Sequence, residues 1–74
     1  MEETGAEQHP LLRYFTFAHL PEHLQVVSRS FFILAVEING RLVDGPEKTV
    51  ALRKLLESKD AAVRTAALDG VNFV

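Results

Sequence analysis

The sequence predicts an all-α protein: an antiparallel helical hairpin of two long helices, preceded by a short N-terminal arm and assembling into a homo-oligomeric bundle. Three observations carry that expectation. Leu20, Leu24, Val27, Phe31, Leu34, Ile38 and Leu42 recur at steps of three and four, which makes one continuous apolar face of a helix. Asp44-Gly45-Pro46-Glu47 then breaks the pattern and restarts it. Beyond the break, Val50, Leu52, Leu55, Leu56, Ala62, Val63 and Ala66 supply the buried face of a second helix.

Residues 1–10 are polar and acidic with no apolar period, so they are expected to form a flexible arm outside a folded domain of residues 11–74. Leu11, Leu12, Tyr14, Phe15 and Phe17 are too apolar for a solvated tail. They should lie across the helices as a short turn or extended segment. The first helix opens at Pro21, whose preset φ and missing amide hydrogen suit a first turn. Glu22 adds negative charge at the positive end of the helix dipole. This helix is expected over about 21–43. Gly40 inside it costs ~1 kcal/mol relative to alanine and is expected to admit a closely packed neighbouring helix. Asp44 is the expected cap of the second helix, with Glu47 at the capping-box position and Pro46 in the first turn. That helix is expected over about 46–67, with Gly70 as its stop. Two helices of about 22 residues, ~33 Å each, joined by a tight turn, make the hairpin.

The run Phe31-Phe32-Ile33-Leu34-Ala35-Val36 predicts association. Phe32, Ile33 and Val36 fall off the main stripe onto a second face, and one helix cannot hide both faces against one partner. A chain of 74 residues builds only a modest core, and with no cysteine it has no disulfide to reinforce it. A second subunit is the remaining remedy, so a helical homo-oligomer is expected.

Composition excludes several kinds of protein. A formal charge of −2 argues against a duplex nucleic-acid binder. No apolar stretch reaches the length of a membrane span, and the acidic start is not a signal peptide, so a cytoplasmic protein is expected. His19 and His23 stand four apart, but without a third ligand they do not predict a metal site. No glycine-rich phosphate loop, HExxH or GxSxG pattern is present, and no serine has an evident base. Neither an enzyme nor a cofactor is expected.

Two features remain. The second helix carries Lys48, Arg53, Lys54, Lys59 and Arg64, some self-paired as Arg53–Glu57 and Asp60–Arg64 at i,i+4. In a symmetric oligomer the surplus would repeat around an axis, where it can hold an anion. The aromatic segment Tyr14-Phe15-Thr16-Phe17 reads either as a hydrophobic lid over the hairpin or as a stacking platform for a nucleobase.

The order Arg13-x-Phe15-Thr16-Phe17-x-His19-x-Pro21, then Leu34-Ala35, then Glu47-Lys48-Thr49-Val50-Ala51-Leu52-x-Lys54-Leu55, resembles the phage anti-CBASS sponge proteins. The likeness covers roughly residues 13–68. It implies a homo-oligomer, a hexamer, that sequesters cyclic dinucleotides or trinucleotides between subunits without degrading them. The aromatic that stacks on a base falls on Phe17, and the first-helix basic residue falls on Ser28. A basic residue near the end of the second helix falls close to Leu68, with Arg64 one turn earlier as the substitute. With Ser28 unable to supply that charge, Arg29 beside it and Arg64 are the expected phosphate contacts of such a sponge, and His19, Leu20 and Ser28 are expected to shape its pocket. The rival expectation is a helical protein-interaction module that binds a host or phage protein through the same apolar faces.

Overall fold

The computed structural model describes residues 9–72, which form a 3-10 helix and two α-helices with no strand among the described residues. The 3-10 helix spans Pro10–Phe15, α1 spans Glu22–Arg41 and α2 spans Pro46–Asp69. A four-residue connection, 42–45, is too short for anything but an antiparallel return, so α1 and α2 make the hairpin the sequence predicts. The 3-10 helix packs on both of them.

Local chemistry sets each boundary. His9 caps the 3-10 helix by accepting the Leu11 amide on Nδ1 at 3.1 Å, so His9 and Pro10 belong to the folded body rather than to the arm. Pro21 is the N-cap of α1, one position earlier in role than expected, and its carbonyl accepts from the Leu24 and Gln25 amides at 2.9 and 3.0 Å. The helix ends at Arg41, short of the expected 43, with Leu42 turning extended. Residue 42 therefore leaves the apolar stripe and is 49% exposed. Asp44 does not cap α2: the N-cap is Gly45, with no side-chain bond to the first turn. The Asp44 carboxylate turns instead to Lys48, at 2.9 Å. At the far end Gly70 takes a φ of 105°, which glycine enters without steric cost. Its amide donates to the Ala66 and Thr65 carbonyls and stops α2 two residues beyond the expected 67.

The core differs from the sequence expectation in its orientation. Its fully enclosed centre is Leu12, Phe15, Ala35 and Leu52, with Phe31, Phe32, Ile38, Leu55 and Leu56 packed around it. Leu24 and Ser28 are buried farther along α1, and Ala66 on α2. On α1 the inward line is therefore Leu24-Ser28-Ala35, about 100° around the helix from Leu34, which is 43% exposed. Small side chains at 28 and 35 let the helices approach, and Phe15 from the arm fills the space that remains. Phe32, expected from the sequence to face a second subunit, is packed inward by the same arm. Ile33 and Val36 do stay outside, 56% and 44% exposed. Gly40 meets no neighbouring helix; a Cβ there would face open space.

Several charges also settle differently. Lys48 is buried and Lys59 has a side chain only 13% exposed, so neither belongs to an outward cationic row. Among the described residues the ion pairs within α2 are Lys54–Glu57 at 3.8 Å and Lys59–Asp60 at 3.2 Å, not the expected i,i+4 pairs. No helix among the described residues is long and apolar enough to cross a membrane.

Candidate functional site

The arm creates a concave surface against α1. Because Leu12 and Phe15 are drawn into the core, the intervening Arg13 and the following Thr16 are left at the surface beside that helix. Between them and the helix lies an open groove of about 480 Å³, lined by His9, Pro10, Leu12, Arg13, Thr16, Phe32 and Val36. Its floor is apolar, and its polar groups stand on the arm side.

Each polar group is held by a local bond. His9 Nδ1 accepts from the Leu11 amide, which leaves Nε2–H to donate to Thr49 Oγ1 at 3.0 Å. The Thr49 hydroxyl in turn reaches the Gly45 carbonyl at 3.4 Å, so one imidazole ties the arm to the first turn of α2. The Thr16 hydroxyl donates to the Arg13 carbonyl at 3.2 Å and tightens the exit of the 3-10 helix. Arg13 stacks its guanidinium over the Tyr14 ring, 5.0 Å from the centroid, and donates to the Tyr14 hydroxyl at 2.9 Å. Its charge has no carboxylate partner among the described residues and is available to an anion in the groove.

Three residues singled out from the sequence share the turn that follows. The Leu20 amide donates to the Phe17 carbonyl at 3.0 Å, which places Ala18 and His19 at the corner. The Gln25 side chain clamps this turn by donating to the Leu20 carbonyl at 2.8 Å and the Ala18 carbonyl at 3.3 Å. His19 is exposed and Leu20 half-buried. Phe17 meets Phe32 edge to face, with centroids 5.6 Å apart and planes at 66°. That contact fits the lid reading of the aromatic arm; Phe17 is half-buried and does not line the groove itself, but stands against Phe32, which does.

The other candidates separate. Ser28 is fully buried within the chain, its Oγ has no hydrogen-bond partner among the described residues, and it does not line the groove. Arg29, the next residue, is exposed and stands one turn before Phe32 on the same flank of α1. Arg64 is exposed on α2. Phe17, His19 and Leu20 thus share one turn, and Arg29, Ser28 and Arg64 are not brought into contact with them. Arg13 and Thr16 stand inside the sequence motif, yet the motif alone assigns them no role. The three-residue step from Leu12 to Phe15, both apolar and both buried, is the signal that leaves Arg13 and Thr16 facing outward.

No group of three histidine, cysteine or acidic side chains that could hold a metal ion occurs among the described residues. A scan against protein-family models finds no match to this chain, and neither do searches of curated proteins and of solved structures.

Proposed function

We propose that this protein is a homo-oligomeric, non-catalytic binder of cyclic oligonucleotides, a phage-type sponge acting in the cytoplasm of an infected cell and assembling as a hexamer. The observation that carries the reading is the groove beside the arm. It sets an arginine without a carboxylate partner among the described residues and a threonine hydroxyl beside an apolar floor that includes the Phe32 ring, against which half-buried Phe17 packs. A nucleobase needs a flat apolar or aromatic surface, and its phosphate needs a fixed cation. The sequence resemblance adds the class of ligand.

In this reading Phe17 stacks on a base at the rim and Arg13 meets a phosphate. His19 and Leu20 shape the turn beside them. Arg29 and Arg64, exposed on separate helices, reach the ligand only across a subunit boundary. Capture is stoichiometric: the free signal falls below the threshold of its effector, and the ligand is returned intact.

Thermal-shift titration against a panel of cyclic di- and trinucleotides tests this directly. At least one should raise Tm, and chromatography after prolonged incubation should recover it unchanged. Phe17→Ala and Arg13→Ala should each weaken binding by roughly tenfold, since stacking on one base is worth ~1–3 kcal/mol and a charged hydrogen bond a similar amount. Equal affinity in a folded Phe17→Ala variant removes the stacking role. A second reading, a protein-interaction module, is favoured by the exposed Val26, Ile33, Leu34 and Val36 of α1. It predicts that the whole panel leaves Tm unmoved.

A further inference from the structure

We infer that the outer face of α1 pairs with α1 of a second copy, antiparallel and two-fold symmetric, crossing at Ile33. This deepens the homo-oligomeric part of the reading above and does not depend on its ligand. Three residues seven apart, Val26, Ile33 and Gly40, lie within about 20° of one another per step on an ideal helix and form a single line. Val26 and Ile33 on that line are 41% and 56% exposed, and Gly40 has open space where a side chain would stand. The line is flanked by Arg29 and Glu37, placed symmetrically four residues before and after Ile33.

A two-fold axis through Ile33 maps each position onto its mirror partner along the helix. Ile33 then meets Ile33. Val26 of one copy meets the bare backbone at Gly40 of the other, which supplies the notch that lets the helices close. Arg29 of one copy faces Glu37 of the other, twice per dimer, so the charges are complementary in this orientation. Glu37 has an intrachain partner, Arg41, but at 3.6 Å between side chains 76% and 56% exposed it is loosely held and free to be shared. A parallel pairing would instead align Arg29 with Arg29 and Glu37 with Glu37. Val36 belongs both to this flank and to the groove, so the second copy extends the wall of the groove. Arg29 thereby stands in the subunit contact itself, at the boundary across which the reading above has it reach a ligand.

The test uses the full chain, which has no cysteine of its own. An Ile33→Cys variant should form an interchain disulfide in air, because the two-fold axis brings the two sulfurs together. Val43→Cys, at an 89% exposed position off the line, should not. Sedimentation equilibrium over a dilution series should show self-association of the natural chain. Arg29→Glu or Glu37→Arg alone should weaken it roughly tenfold, and the double reversal should restore it. A monomer at every concentration overturns the pairing and leaves the face to a foreign protein. Association that persists unchanged through both single reversals, with no crosslink in the Ile33→Cys variant, overturns it as well. Binding of cyclic nucleotides, read by thermal shift on the same variants, reports separately on the ligand.

Discussion

At the scale of single residues, Lys48 shows how a charge can be structural. It is 6% exposed, and its Nζ donates to the Asn39 carbonyl at 2.9 Å, the Leu42 carbonyl at 3.0 Å and Asp44 Oδ1 at 2.9 Å. All three ammonium hydrogens are used, and the positive charge sits on the negative end of the α1 dipole. The sequence shows only a lysine in the first turn of a helix, where a solvated role is the ordinary one. Lys48→Met keeps the stem, removes the cap and should cost about 2 kcal/mol, measured by chemical denaturation. The hydrogen bond from Lys48, then its charge, hold the Asp44 carboxyl below the usual carboxylate range. A lowered folded pKa gives stability that is present at neutral pH and lost as pH falls through that lowered value. Asp44→Asn should therefore lower Tm at neutral pH, and the gap from the natural chain should close in acid. Ser28 is the opposite case. Its buried Oγ has no hydrogen-bond partner among the described residues, so Ser28→Ala should leave stability unchanged or raise it by up to about 1 kcal/mol. A large loss on denaturation would show that the hydroxyl has a partner in the assembled protein.

At the scale of elements, the arm is more than a cover. Its 3-10 helix delivers Leu12 and Phe15 to the centre of the core, with Phe15 wholly enclosed. One imidazole holds it in place through both ring nitrogens, by the Leu11 amide on Nδ1 and Thr49 Oγ1 on Nε2. His9→Ala removes both bonds and should cost about 1–2 kcal/mol. Faster hydrogen exchange at the Leu11 and Leu12 amides than in α1 would locate the loss in the arm. The existence of both long helices, the break at 44–46 and the stop at Gly70 were legible in the sequence, because periodicity and turn chemistry are local. The face that α1 turns inward was not. Periodicity alone weighs Leu34 and Leu24 equally, yet Leu34 is 43% exposed and Ala35 is 0% exposed. Closest approach of two helices favours a small side chain at the seam over a large one beside it.

For the whole molecule, the arm and hairpin together divide α1 into an inward side, a groove side and an outer side. The groove joins His9, Arg13 and Thr16 of one short segment to Phe32 and Val36 of α1, a juxtaposition that no local pattern contains. The outer side keeps Val26, Ile33 and Val36 in solvent, as the two-faced run implies for part of its length. Phe32 is the exception, because the arm reaches it first. The groove and the outer side meet at Val36, so the ligand capture and the self-association proposed above would adjoin on one helix. The crosslinking and titration experiments above separate them.

The sequence by itself determined the helices, their ends to within a few residues, the hairpin and the surplus of apolar area, since each depends on residues within a turn or two of one another. Tertiary structure alone decided which side of α1 is core, that Ser28 and Lys48 are buried, and that Arg13 faces a groove. Those outcomes depend on which volumes fit when three segments close around Phe15, a condition no stretch of the chain contains by itself.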